Sequence, residues 1–398
     1  MTTPELAGEL GLGPGLAAAV TLGAGGLLAF FVEPWLLLRL QGRPPHRVVS
    51  AALAVWALEM AVCGWAPHPL AVVAAMVLAG PASGVACAFA QARLAGIERR
   101  AGIDKAAERA ASRWALSGAL GDVAAPALLV VVGSWWRAGY FVGAAIAVVL
   151  ALLVLAKGRD AEGGRDPGDT DGDTDAETDA STDDGIQAHA HADAAAEADA
   201  QGDAPAPRFT LRELLAARRV LLAALAATAC TFLDEIVLGV GALYLDDRFA
   251  LAASPRSLVL GLWTVAALAG TAALTVAIER ASTPRLLVIS GSACGLALAA
   301  ALCVDSPSVA TALLVVAAFF SSWHWPLCQA LALRAAGERP LLAGAAAALW
   351  QPLELAAPFA IAAAAGTLGT SAAMAILLMQ PVAVVAAGWR RNVVRCVV

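Results

Sequence analysis

The sequence predicts an all-α polytopic membrane protein. It consists of two helical bundles with eleven transmembrane helices, five and six, joined by a disordered linker. Three observations predict this. Hydrophobic residues make up 60% of the 398 residues against 15% charged, and mean hydropathy is +0.73. Eleven stretches approach or exceed the roughly 20 apolar residues that a bilayer crossing takes. Between the fifth and the sixth, the chain turns abruptly acidic. A soluble domain of this length could not bury so much apolar surface. Lipid cannot bond to backbone polar groups, so helices are the spanning element, and the stretches are too uniformly apolar for the alternating strands of a barrel.

In chain order, the first span is 14–38, carrying Glu33 and Pro34 toward one end, with the basic turn Arg39, Gly42 and Arg43 after it. Spans at 48–66 and 69–92 follow, the former with Glu59 in its middle and the latter closing on Gln91. The fourth, 114–134, holds Asp122 and Pro126, and the fifth is 138–156. After the linker come 219–244, with adjacent Asp234 and Glu235, then 257–278 and 286–303. The last three are 308–333, with His324 between two tryptophans and Gln329 near its end, 341–364, with Glu354 and Pro358, and 370–389. We take 1–156 as the N-terminal bundle, 157–208 as the linker and 209–398 as the C-terminal bundle.

Loop charge sets the expected orientation. Alternate loops hold 23 Lys and Arg, whereas the opposite set holds only Arg137, Arg248 and Arg256. An excess of positive charge marks the cytoplasmic side, so the linker and C-terminus are expected in the cytoplasm, the N-terminus outside, and the chain in the inner or plasma membrane. The same pattern accounts for the basic residues without nucleic acid. Between Asp160 and Asp203 there are fifteen Asp or Glu and one base, Arg165. Such a segment cannot build a core and reads as a solvated tether. Its run Asp169 to Asp175 lacks the glycine position and the twelfth-position Glu of a calcium loop, and His189 and His191 are weak ligands. The seven cysteines show no metal or redox spacing, so neither metal nor disulfide is expected.

The chain repeats itself. Asp122-Val-Ala-Ala-Pro126 matches Glu354-Leu-Ala-Ala-Pro358, Gln91-Ala92 matches Gln329-Ala330, and Pro14 to Arg39 lines up with Pro255 to Arg280. The copies run in the same order and orientation. In this register the first copy has nothing corresponding to 219–244, and a missing first helix is expected.

Two bundles of parallel repeats joined by a long cytoplasmic linker resemble the major facilitator superfamily (MFS) of secondary transporters. The loop Leu37 to Arg43 resembles the family's signature loop, keeping Arg39, Gly42 and Arg43 but lacking its Asp. The third span lacks the membrane Arg often tied to proton coupling. Ser117 to Pro126 loosely resembles the glycine-rich stretch of exporters, which leans toward efflux. The resemblance implies a proton-coupled carrier moving a small organic solute by alternating access, its partners being that solute, protons or another coupling cation, and the bilayer.

Candidate residues follow from the cost of polarity in lipid. A carboxylate at bilayer depth costs about 2.5–3.5 kcal/mol on insertion scales, so it faces a cavity or a partner. Asp234 or Glu235 is the first candidate for a proton-titrating or cation-binding group; successive helical residues diverge by about 100°, so only one faces a central cavity. Asp122 and Glu354 sit at matched places and read equally as relay carboxylates or as helix–helix bonds. His324, Gln91 and Gln329 are further solute- or ion-coupling candidates, and Pro126 and Pro358 are hinge candidates. Glu59 reads as scaffold, and Glu33 as a structural partner of Arg39 or Arg43. No phosphate loop, zinc motif or nucleophile elbow is present, so neither an enzyme nor a cofactor is expected. The alternative class is a non-transporting or truncated membrane protein, a scaffold lacking one cavity wall.

Overall fold

The computed structural model describes residues 14–66, 68–132, 136–163 and 208–396. The acidic run beyond Gly163, with His189 and His191, lies outside the described residues, as do the side chains of Pro126, Asp234 and Glu235. The first bundle contains α1 (Pro14–Leu40), α2 (Pro45–Trp65), α3 (Pro69–Arg100), α4 (Ala106–Val132) and α5 (Trp136–Gly163). After a one-and-a-half-turn helix α6 (Leu211–Ala216), the second contains α7 (Arg218–Ala229), α8 (Thr231–Phe249), α9 (Ala253–Arg280) and α10 (Thr283–Cys303). It continues through α11 (Pro307–Ser321), α12 (His324–Ala336), α13 (Leu341–Ala348) and α14 (Gln351–Leu368), and ends with α15 (Thr370–Ile376) and α16 (Met379–Cys396). Among the described residues there is no strand. Among the described residues eight helical stretches are long and apolar enough to cross a membrane, nine if α13 and α14 form one bent span, against eleven expected; α1 and α4 stand outside that count.

Local chemistry explains where these helices start and stop. Proline opens α2, α3 and α11 at positions whose N–H would be unbonded anyway. Thr210 and Glu213 form a reciprocal capping box on α6. Three interruptions in the second bundle share one cause. Each falls four residues before a proline, which can offer no N–H to that carbonyl and crowds it. Pro326 stands behind the break at Ser322, Pro352 behind the end of α13 at Ala348, and Pro381 behind Leu377. Pro34, Pro81 and Pro358 are accommodated inside continuous helices. The α13–α14 bend of 40° therefore lies ahead of the hinge candidate Pro358, which sits within α14.

The break between α7 and α8, at Cys230, has no such proline and is held by a side chain instead. The Gln380 amide accepts from the Leu233 N–H at 2.9 Å and donates to the Cys230 carbonyl at 3.1 Å. The indole N–H of Trp323 donates to the Gly270 carbonyl at 2.7 Å, and that of Trp350 to the Leu221 carbonyl at 3.0 Å. At the Cys230 break backbone groups are thus tied to a neighbouring helix, as a bilayer demands, and the two indoles tie side chains beside two further breaks to carbonyls of neighbouring helices.

Packing reproduces the internal repeat. α1 packs on α3, α2 on α3 and α2 on α5; α9 packs on α11, α10 on α11 and α10 on α16. Across the bundles α4 meets α9 and α12, and α1 and α3 meet α14 and α13. α7 and α8 pack on α12, α13, α14 and α15. Among the described residues no helix takes the equivalent place on α4 and α5. Ser117, Gly118, Leu120, Gly121 and Asp122 on α4 are exposed accordingly.

Three apolar clusters pack among the described residues, the smallest being Cys63, Ala66, Val72 and Ala75 of the first bundle. Of the larger two, one joins both bundles and includes Leu37, Phe89, Ile278, Leu327 and Leu342. The other belongs to the second bundle alone and gathers Leu233, Tyr244, Trp263, Leu298 and Met374. Because lipid tails are as apolar as these side chains, close packing and polar bonds supply the helix–helix attraction. Gly344 of α13 shows the tightest cross-bundle approach of this kind: a Cβ there would stand 2.6 Å from the Ala88 Cβ of α3.

Candidate functional site

The two bundles are bonded to each other at the end where the basic loops lie. Lys105, in the turn before α4, adopts φ +65°, a left-handed conformation that is uncommon for a side-chain-bearing residue. Its ammonium donates to the carbonyls of Glu279 at 3.3 Å and Ala281 at 3.2 Å, and to that of Ile278. It therefore caps the negative end of the α9 dipole. One turn on, Arg109 grips Glu279 through two hydrogen bonds of 2.9 and 3.1 Å. Glu108, 1% exposed, accepts from Arg334 of α12 at 2.6 Å and from the Thr283 hydroxyl of α10. Arg99 reaches Glu338 at 3.4 Å.

The signature-like turn after α1 adds a second contact. The Gln41 amide pairs with the Phe209 backbone in both directions, donating at 2.6 Å and accepting at 2.8 Å. Gly42 lies under the Arg208 guanidinium, and Arg39 stacks over Trp35 at 5.1 Å. On the same end, Glu213 accepts from the Thr210 N–H at 2.7 Å and from Arg339 at 2.9 Å. The Thr210 backbone bond, and then Arg339, hold its carboxyl below the ordinary range.

Deeper in, matched residues meet. Gln329 donates to Gln91 across the bundles at 2.7 Å. A two-fold repeat axis brings equivalent positions together where it crosses the interface, and here it pairs the two glutamines that the sequence aligns.

The deepest contact joins Glu33 of α1 to Gln351 of α14. The Gln351 amide donates to Glu33 Oε2 at 2.7 Å, and Glu33 is 4% exposed. The carboxyl occupies space left by Gly84 of α3, where a Cβ would lie 1.9 Å from Oε2. Gln351 Oε1 is buried with no hydrogen-bond partner among the described residues. Glu354, one turn along α14, repels Glu33 electrostatically and meets the Thr231 hydroxyl of α8 at 3.5 Å. The Glu33–Gln351 site differs from the expected partnership of Glu33 with Arg39 or Arg43. Arg39 lies six residues on, about 240° around the helix, so it cannot share Glu33's face.

The remaining candidates are dispersed. Asp122 is exposed on α4, whereas its repeat partner Glu354 is half-buried against α8. His324 is 0% exposed, with Nδ1 facing the Gln380 amide nitrogen at 3.3 Å. Gln380 already accepts on its oxygen from Leu233, so its nitrogen is the donor and His324 Nδ1 the acceptor. His324 thus sits in a helix joint, away from Glu33. Glu59 is half-buried on α2. Among the described residues, no group of His, Cys, Asp and Glu could hold a metal. Sequence reasoning missed Gln351, Glu108, Lys105 and Gln380; a polar residue beside a membrane proline was the available signal for Gln351 and Gln380 alone.

Comparison with known proteins bears this architecture out. Among curated proteins none matches the chain. The human organic anion transporter MFSD10 (TETRAN) superposes with TM-score 0.65 at 15% identity, over 97% of this chain and 88% of that one. The proton:xylose symporter XylE, bound to 6-bromo-6-deoxy-D-glucose, gives 0.67 at 13%, over 98% and 90%. FucP in the outward conformation gives 0.62 at 12%, over 93% and 89%. Identities this low speak to the fold alone. The family model described as Major Facilitator Superfamily matches residues 2–358, and the chain belongs to that superfamily of multi-pass membrane secondary transporters.

Proposed function

We propose that the protein moves a small organic solute across the inner or plasma membrane by alternating access, coupled to protons and in the direction of efflux. The single observation that carries the proton is Glu33 against Gln351, a carboxylate buried between two bundles that must part for the carrier to open at the basic end. On this reading the basic end is cytoplasmic and closed, and the opposite end is the one from which the site is reached.

The amide of Gln351 can answer both states of the acid. Its nitrogen donates to an ionised Glu33, and its oxygen would accept from a protonated one after the amide turns over. Protonation removes a charge that is costly at this depth and replaces a charge-assisted bond by a neutral one, which weakens the junction by about half. Glu354 favours the exchange by repulsion. Opening then requires loss of the Lys105, Glu108 and Arg109 contacts, whose groups gain water as they part. Asp234 or Glu235, on the α8 helix that Glu354 touches, is the second proposed proton carrier.

Solute-dependent proton flux in proteoliposomes tests the reading, with a panel of lipophilic cations, organic anions and small metabolites. Glu33→Gln, Asp234→Asn and Glu235→Gln are run beside the wild type. Flux abolished by at least one of them supports coupling, and flux retained by all three overturns it. A non-transporting protein is the second reading, favoured by the bare face of α4 around Asp122. It predicts no flux from residues 1–398 and flux once a membrane helix is appended ahead of them.

A further inference from the structure

We propose that Cys230 and Cys328 form a thiol–disulfide modification site that locks the joint of the second bundle. Their sulfurs lie 3.8 Å apart, and the residues are 2% and 1% exposed. Cys230 is the residue at which α7 gives way to α8. Cys328 is one turn beyond His324 on α12, so both face the same neighbour. Gln380 ties the two ends together, donating to the Cys230 carbonyl and approaching His324 Nδ1 at 3.3 Å. The pair therefore spans two helix breaks already joined by a side-chain amide.

A disulfide has an S–S length of about 2.05 Å. Closing the present gap needs each sulfur to advance by roughly 0.9 Å, a movement that χ1 rotation and the junction at Cys230 can share. The chemistry balances with a membrane-permeant two-electron oxidant. Each thiol gives up a proton, the sulfurs join by one new bond, and two electrons pass to the oxidant; diamide takes up both protons and both electrons as its N=N bond becomes a hydrazine. Buried thiols react only when their surroundings open, so the rate of oxidation reports opening of the joint.

The location gives the bond its consequence. Cys230 and Cys328 belong to the core shared by both bundles, while Leu233, three residues on, begins the core of the second bundle alone. A bond at this boundary fixes α7 and α8 to α12 where one core gives way to the other.

The test uses the full chain in proteoliposomes treated with diamide, then unfolded and alkylated with N-ethylmaleimide. Peptide mapping is expected to find Cys230 joined to Cys328, with a mass about 2 Da below the two thiols. Dithiothreitol should return both to the alkylated pool. Hydrogen exchange over 228–236 should slow about tenfold on oxidation. Cys230→Ser should leave Cys328 alkylated and exchange unchanged. Full alkylation of both thiols after oxidation, or bonding of either to another cysteine, overturns the proposal. The wild-type mapping decides the chemistry even where the variant fails to fold.

Discussion

Glu108→Gln keeps the shape of the side chain at the basic end and removes its charge. Glu108 is 1% exposed, and a single oxygen, Oε1, receives both Arg334, at 2.6 Å, and Thr283. A hydrogen bond between charged groups contributes about 1.5–3 kcal/mol. The Arg334 side chain is 40% exposed, so solvent screens part of that, leaving about 1–2 kcal/mol. At about 1.4 kcal/mol per tenfold, the population closed at the basic end should fall by roughly 5- to 30-fold relative to the open one. Spin labels on Asp104→Cys and Ala335→Cys, in the turn before α4 and at the end of α12, report this as a distance distribution in nanodiscs. Both positions are exposed. The wild type should give one short population, and the variant a second, longer one. Identical distributions in the two proteins would refute the argument that this pair holds the bundles together.

Gly84→Ala should cost about 1–3 kcal/mol of stability, because its Cβ would lie 1.9 Å from Glu33 Oε2; thermal unfolding should show the loss, and Glu33→Ala in the same chain should restore most of it. Gln91→Leu or Gln329→Leu alone leaves a buried amide without its partner and should cost about 1–3 kcal/mol, whereas the double variant should approach wild-type stability; additive costs in a double-mutant cycle would contradict the direct bond. The lowered Glu213 carboxyl stabilises the α6 cap above the ordinary carboxylate range, and that contribution is lost as pH falls through its depressed folded value. Protection from hydrogen exchange over 210–217, taken relative to the intrinsic rate at each pH, should therefore hold at neutral pH and fall in acid below the ordinary carboxylate range, a dependence that Glu213→Gln abolishes.

Much of the architecture could be read from the chain because a bilayer punishes exceptions. Apolar length and basic loops sufficed for the helix order, and the repeat aligned Gln91 with Gln329, which the fold then brings into contact. The alignment put Asp122 and Glu354 at matched places, yet the fold leaves Asp122 exposed and Glu354 half-buried against α8. The Glu33–Gln351 contact was less legible. Gln351 is 318 residues from Glu33, and no local rule pairs residues at that distance. Of the prolines, those that break a helix and those that do not look alike in sequence. Pro358 was the expected hinge, yet the break belongs to Pro352, beside Trp350 and its bond to Leu221. The latch at Lys105 depends on a left-handed backbone that nothing in its neighbours' identity announces.

The account rests on Glu33 carrying the proton that couples solute movement to the gradient. Solute exchange at equal pH and pH-driven accumulation, measured side by side in proteoliposomes of wild type and Glu33→Gln, test it most directly. The account predicts that the variant keeps exchange and loses accumulation, because the bundles still rock but no longer take up a proton. Accumulation by Glu33→Gln at the wild-type level would contradict it.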